Sequence, residues 1–109
     1  MNARKTARFE KWEGLGNDFA LFDARDLEAR PELVRALCDR RRGIGADGVI
    51  LVEGERMIVY NADGSRPEMC GNGLRCVVGH LASYGLAGAE LDVDTDAGER
   101  RCQVSRVAA

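Results

Sequence analysis

The chain has 109 residues, which is the size of one compact domain. Apolar residues make up 45% of it and charged residues 31%, a balance typical of a protein that folds around a buried core. The 16 basic and 18 acidic side chains leave a net charge of -2, so no strong positive field favours nucleic acid or an anionic membrane surface.

The sequence lacks the patterns typical of membrane-spanning, secreted and metal-binding proteins. The longest strongly apolar run is residues 49–52, far below the ~20 residues that cross a bilayer. The basic N-terminus lacks the apolar stretch of a secretory signal. The 4 cysteines form no C-x-x-C pair and accompany a single histidine, His80, so a zinc site lacks its usual ligand spacing. We therefore expect a cytoplasmic protein with free thiols and no metal.

The first part of the chain predicts two strands followed by a helix. Short apolar runs indicate strands at residues 8–12 and 18–23, with a glycine-containing loop between them. Apolar residues at helical spacing then predict an amphipathic helix over residues 31–42, which begins with a proline and ends before Gly43.

The second part predicts a hairpin, a helix and a further pair of strands. Residues 49–52 and 57–60 form the hairpin, and a helix with a broad apolar face extends from about residue 74 to Tyr84 and ends at Gly85. Alternating residues 91–96 predict a half-exposed strand, with residues 101–107 as its partner. The pattern is that of a mixed α+β domain.

Several motifs have simpler structural explanations than functional ones. Residues 43–48 match G-x-G-x-x-G, but a predicted helix precedes them and a strand follows, the reverse of a dinucleotide site. Residues 92–96 resemble the start of a calcium loop but lack its glycine and glutamate. We interpret the arginines at 40–42 as a solvated helix end, and His80, without an evident carboxylate partner, as a packed residue.

Cys70 has a different context, because the sequence Gly-Asn-Gly follows it directly at the start of the second helix. Unpaired amide groups at a helix start favour negative charge, so they should favour the thiolate form of Cys70 and attract a carboxylate. A thiolate beside a carboxylate site suits the removal of a proton from the adjacent carbon. Cys76, further into the helix, is interpreted as structural.

Four motifs in order carry a family resemblance. They are Gly-Leu-Gly-Asn-Asp-Phe at residues 14–19, Arg-Gly-Ile-Gly-Ala-Asp-Gly at 42–48, Asn-Ala-Asp-Gly-Ser at 61–65 and Met-Cys-Gly-Asn-Gly-Leu-Arg-Cys at 69–76. Together they resemble the N-terminal half of diaminopimelate epimerase, over about residues 8–107.

The resemblance implies a cofactor-independent isomerase of lysine and peptidoglycan biosynthesis, which converts LL-diaminopimelate to the meso isomer. In that family two cysteines act on opposite faces of the α-carbon, one as base and one as acid, and Cys70 matches one of them. Asn17, Asn61, Gly71 and Asn72 match positions that hold the substrate. The implied fold has two similar domains, each a curved, mostly antiparallel sheet wrapped around a central helix.

Nothing in the sequence matches the second catalytic cysteine, which belongs to the family's C-terminal half. We therefore expect residues 1–109 to form a single N-terminal domain that is inactive alone, with its cleft face open to the missing half or to self-association. Two alternatives remain open at this point: a non-catalytic module that binds an amino acid or carboxylate, and a homodimer in which two copies of Cys70 face each other.

Overall fold

The computed structural model describes residues 7–83 and 90–103. The described part contains six strands and two helices. In chain order these are β1 (Phe9–Gly14), β2 (Asn17–Asp23), α1 (Pro31–Cys38), β3 (Gly48–Glu53), β4 (Arg56–Asn61), α2 (Gly71–Ala82), β5 (Glu90–Thr95) and β6 (Gly98–Gln103).

The six strands form one sheet in which the spatial order equals the chain order. β1 and β2, β3 and β4, and β5 and β6 are antiparallel pairs. β2 and β3 are parallel, as are β4 and β5, and the connections between these parallel strands carry α1 and α2. The predicted mixed α+β class is confirmed, and antiparallel pairing predominates in the described sheet.

The sheet has an apolar core on each face, because β2 and β3 carry buried side chains that alternate between the two sides. One core packs against α2 and is built from Phe19, Leu21, Ile50, Val52, Met57, Val59, Cys76, Val77 and Val93. The other packs against α1 and is built from Ala20, Phe22, Val34, Cys38, Ala46, Val49 and Leu51. The central strands therefore lie between the two helices.

The first helix is shorter than its apolar periodicity predicts, since it ends at Cys38 rather than at residue 42. Asp39 leaves the helical conformation with ψ 124, and its carboxylate accepts from the backbone N–H groups of Arg41 and Arg42 at 2.8 and 3.0 Å. This local turn competes with the helix for the backbone donors. No helix in the described ranges is long and apolar enough to cross a membrane.

The second helix begins at Gly71, before the first apolar residue of its predicted pattern. Its predicted end at Tyr84 and Gly85 lies outside the described residues. β6 begins at Gly98, earlier than the predicted residue 101, and residues 104–107 of that prediction also lie outside the described part.

Candidate functional site

The predicted site residues lie at one edge of the sheet, where β2 and β3 begin and β4 ends. Three segments meet there through backbone hydrogen bonds. The N–H of Asp47 donates to the carbonyl of Asp18 at 2.8 Å, and the N–H of Ala62 donates to the carbonyl of Asp47 at 3.1 Å. Asn17 and Asn61, which adjoin these residues, therefore lie at the same edge.

Cys70 is the residue that caps the start of α2. Its backbone is extended, with φ -138, and its half-buried Sγ accepts from the backbone N–H of Gly73 at 3.4 Å. The first turn of α2 carries no acidic side chain. No side chain in this turn therefore neutralises the positive partial charge at the helix N-terminus, which favours an anion at this position. The thiol thus has the helix-start environment that the sequence predicts.

The first turn of α2 is open on one side and tightly packed on the other. Gly71 is exposed, and a Cβ added there would meet nothing within 4 Å. Gly73 is buried, and a Cβ there would lie 3.3 Å from Cδ1 of Ile50. Behind the turn, a Cβ on Gly14 would lie 2.8 Å from the carbonyl oxygen of Asn72. β1 therefore supports the turn from behind, while the Gly71 side leaves room for a ligand.

Asn17 and Asn72 are brought together although 55 residues separate them in sequence. Nδ2 of Asn72 donates to Oδ1 of Asn17 at 2.5 Å, and Nδ2 of Asn17 donates to Oδ2 of Asp47 at 3.3 Å. Asn61 is exposed and hydrogen-bonded within its own turn, where its Nδ2 donates to Oγ of Ser65 at 2.9 Å. The structure therefore links Asn17 directly to the start of α2 and places Asn61 at the same sheet edge without such a link.

A cluster of charges beside Asn17 was not found from the sequence. Arg40 donates to both carboxylate oxygens of Asp18 at 2.8 and 2.7 Å, and to Oδ1 of Asp47 at 3.2 Å. Lys11 donates to Asp18 at 2.8 Å. The Arg40 guanidinium, with help from Lys11, holds the pKa of Asp18 well below its usual range. Arg40 is thus an ion-pairing residue rather than a solvated helix end, which corrects our interpretation of residues 40–42.

The pairing of β2 with β3 explains why this cluster exists. Asp18 and Asp47 stand near the starts of two parallel strands that are neighbours in the sheet, so their carboxylates lie side by side. Two adjacent carboxylates need a cation between them. An aspartate at the start of each of two neighbouring parallel strands, with an arginine between them in the chain, is the signal that could have revealed the cluster.

The other three thiols are in less favourable environments. Burial raises the pKa of Cys76 to about 11, and burial also raises the pKa of Cys38 and of Cys102. Cys76 lies in the core between α2 and the sheet, which confirms its structural interpretation. In the described chain, Cys70 is therefore the thiol best placed for chemistry.

His80 is packed near the other end of α2, as predicted, but it does have a carboxylate partner. Its Nδ1 lies 2.9 Å from Oε1 of Glu10, which also accepts from Nε1 of Trp12 at 2.7 Å. The histidine ring meets the Trp12 ring edge-on, with centroids 6.4 Å apart. A surface cleft of about 540 Å³ opens beside His80 and Leu81. At 1.5 Å per helical residue this end lies roughly 15 Å along α2 from Cys70, so the cleft is not the thiol site.

Arginines pair with acidic residues of β5 and of the turn that follows it. Asp92 accepts from Arg101 at 3.0 Å, and Asp96 accepts from Arg66 at 2.5 and 2.8 Å. The Arg66 guanidinium lowers the pKa of Asp96. Across residues 7–83 and 90–103, no group of three or more potential metal ligands comes together.

Comparison with known proteins places this geometry in a family. A sequence profile described as diaminopimelate epimerase matches residues 9–109. The diaminopimelate epimerase of Moorella thermoacetica is 50% identical over 99 residues, which cover 83% of this chain and 36% of that protein. The chain belongs to the diaminopimelate epimerase family.

In other members of the diaminopimelate epimerase family, the match likewise covers little more than a third of the relative's length. The enzyme of Natranaerobius thermophilus is 42% identical over 108 residues, and that of Prochlorococcus marinus NATL1A is 42% identical over 105 residues. These matches cover 36% and 37% of the two relatives, so the chain spans a little over a third of their length.

Two solved structures share the fold of this epimerase-family chain. A Bacillus anthracis phenazine biosynthesis protein of the PhzF family has a TM-score of 0.57 at 23% identity, over 87% of this chain and 33% of that one. A putative PhzC/PhzF protein from Clostridium difficile has a TM-score of 0.58 at 13% identity, over 81% of this chain and 34% of that one. At such identities the likeness concerns the architecture alone.

Proposed function

We propose that this chain supplies one of the two acid/base thiols of a diaminopimelate epimerase, which converts LL-diaminopimelate to meso-diaminopimelate without a cofactor. The observation that carries the proposal is the position of Cys70. Its Sγ caps α2 next to Gly71, where the surface is open. The motifs shared with the epimerase family support the same assignment.

In the proposed mechanism Cys70 acts as a base in its thiolate form. The thiolate takes the proton from the α-carbon, and negative charge then develops on the neighbouring carboxylate. Backbone N–H groups in the first turn of a helix have no partner within the helix, so those of Gly71 and Asn72 are suited to stabilise that charge. The substrate amide contacts would come from Asn17, Asn61 and Asn72.

Inversion at the α-carbon needs a second thiol on the opposite face. Within the described residues, Cys38 and Cys76 are buried in the two cores, and Cys102 lies on β6, where burial raises the pKa of its thiol. We propose that the acid comes from the remaining part of the family's chain. It donates its proton as Cys70 accepts one, and the roles reverse when the meso isomer is the substrate.

Proton exchange tests the proposal directly. The 109-residue chain is incubated in heavy water with LL-diaminopimelate, first alone and then with the C-terminal part of a related epimerase added as a separate chain. We expect no deuterated meso isomer from the chain alone, because inversion needs a thiol on the other face of the carbon. The deuterated meso isomer should form with the second chain, since the interface would place both thiols at the substrate.

Matched cysteine variants identify the base. Cys70→Ser should abolish deuterium uptake in the two-chain complex, whereas Cys76→Ala, which alters a buried thiol of the same helix, should retain it. Formation of the meso isomer by the chain alone that depends on Cys70 would instead indicate a homodimer with two copies of that thiol. Binding of diaminopimelate with equal exchange by wild type and Cys70→Ser would indicate a non-catalytic carboxylate-binding module.

A further inference from the structure

We propose that Asp47 is a positioning residue, which fixes the side-chain amide of Asn17 and, through it, that of Asn72 beside Cys70. The relevance of this relay to catalysis rests on the proposed function, but its existence can be tested without any activity. The relay consists of three side chains, and each makes a direct hydrogen bond to the next.

The chemistry of a carboxylate determines the direction of the relay. Oδ2 of Asp47 lies 3.3 Å from Nδ2 of Asn17 and 3.0 Å from the backbone N–H of Asp18. A carboxylate offers only acceptors, so Asn17 must present its NH₂ group to Asp47. Its carbonyl oxygen then faces the other way and accepts from Asn72 at 2.5 Å. Reversal of either amide would place two donors or two acceptors against each other.

Asp47 is itself held from two sides, which makes it a firm anchor for the relay. Arg40 donates to its other oxygen, Oδ1, at 3.2 Å. Asp18 and Asp47 also bind each other's backbone, because the N–H of Asp47 donates to Oδ1 of Asp18 at 3.1 Å while the N–H of Asp18 donates to Asp47. This reciprocal contact joins the starts of β2 and β3, so the anchor is attached to two neighbouring strands of the sheet.

The relay gives Asp47 a distinct effect on the site, although it does not adjoin Cys70. With one N–H of Asn72 committed to Asn17, the side chain of Asn72 retains a defined orientation at the start of α2. A substrate that approaches Cys70 would then meet a preset pattern of donors and acceptors. Positioned groups of this kind reduce the reorganisation that the reaction needs.

Hydrogen exchange of the side-chain NH₂ groups, followed by ¹⁵N NMR in the 109-residue chain, tests the relay. Asp47→Asn replaces one acceptor oxygen with a donor, so the side chain can no longer accept from both Asn17 and Arg40, and the anchor of the relay is weakened. The NH₂ group of Asn72 should then exchange faster, by about fivefold where one ordinary hydrogen bond is lost. The matched control is Asp96→Asn, since Asp96 also accepts from an arginine but lies in the turn between β5 and β6, at the far end of the strand order from Asn17. In that variant the exchange of Asn72 should not change.

A second variant keeps the test decisive even if Asp47→Asn does not fold. Asn17→Ala removes the middle of the relay and should accelerate exchange at Asn72 to the same extent. Asp47→Asn should add nothing further in the double variant. Unchanged exchange at Asn72 in Asn17→Ala, or an effect of Asp47→Asn that persists without Asn17, would overturn the proposal.

The outcomes separate this inference from the proposed function. If Cys70→Ser exchanges deuterium like wild type while Asp47 controls Asn72 in the NMR experiment, the relay stands and the catalytic role fails. If Cys70 is required but Asn72 does not respond to Asp47→Asn, the catalytic role stands and the relay fails. When both hold, Asp47→Asn should lower the deuterium exchange rate of the two-chain complex, and Asp96→Asn should not.

Discussion

The surroundings of the four cysteines differ enough to rank their reactivity. Burial raises the pKa of Cys38, Cys76 and Cys102, whereas Cys70 is half-buried at the positive end of a helix. Because the thiolate is the reactive form, brief iodoacetamide treatment near neutral pH should label Cys70 first. Peptide mapping measures the order, and in urea the four rates should converge. Faster labelling of Cys38 or Cys102 in the native protein would contradict the assignment.

Substitution of alanine should destabilise the protein at one glycine of the site and not at another. In Gly14→Ala the new Cβ would lie 2.8 Å from the Asn72 backbone, which is too close, so β1 or α2 must shift. We expect a loss of about 1–3 kcal/mol in the free energy of unfolding, measured by urea denaturation. The control is Gly71→Ala, which meets open space and should not destabilise the protein. Equal effects of both variants would show that the contact is relaxed.

Leu15 carries local backbone strain beside the site. It has φ 51 in the loop between β1 and β2, next to Gly16 with φ 90, and its side chain is 73% exposed. Positive φ at both loop positions matches the tight hairpin turns in which asparagine and glycine are preferred. Leu15→Asn should therefore stabilise the protein by roughly 1 kcal/mol in urea denaturation. Leu15→Ala, which removes the apolar group but keeps the strain, should not have this effect.

At the level of elements, the ion pair between Asp18 and Arg40 connects the start of β2 to the segment after α1. Since the folded pKa of Asp18 lies below its unfolded value, its stabilisation is fully present above about pH 4 and is lost as the pH falls below that. Asp18→Asn should cost about 2 kcal/mol at pH 7, and the difference from wild type should shrink towards pH 2. Urea midpoints at several pH values measure this.

A control for this pH dependence is Asp23→Asn. Arg25 lowers the pKa of Asp23 to about 2, but its side chain is 84% exposed, so solvent screens the interaction and Asp23→Asn should change stability less than Asp18→Asn at pH 7. A pH profile of Asp18→Asn parallel to that of wild type would show that Asp18 does not contribute to the acid sensitivity.

The elements that the sequence predicted well are those governed by local patterns. The alternation in β5, the continuous apolar run in β3 and the Gly-Asn-Gly turn after Cys70 each have one sterically reasonable interpretation. The end of α1 was predicted wrongly because the side chain of Asp39 captures backbone donors, an effect that apolar periodicity does not register.

The relay and the ion cluster could not be predicted from periodicity, because they depend on which strands become neighbours. Asp18 and Asp47 are neighbours because β2 and β3 pair in parallel. Asn17 contacts Asn72 because α2 packs beside β1 and β2. The candidate site was thus predictable at the thiol, where the helix start is local. The relay and the ion cluster that support the site were not predictable, because they form only when distant segments pack together.

At the scale of the whole sheet, β4 and β5 share the shortest pairing among the described strands. The described register joins them through Arg56 and Asp94, whereas each hairpin pairs along its full length. Backbone amides of β5 and β6 should therefore exchange with solvent at least about tenfold faster than those of β2 and β3, which lie in two apolar cores. Native-state hydrogen exchange measures the difference, and uniform protection across the sheet would contradict it.

The identical order of strands in sequence and in space has a consequence for synthesis. Each strand pairs with one that has already left the ribosome, so the sheet can grow from one edge as translation proceeds, without a gap held open for a later segment. Such sequential pairing keeps loop closure short at every step. The edge that carries Asn17, Asp47 and Asn61 would be assembled before α2 emerges, and Cys70 would arrive later together with the first turn of that helix.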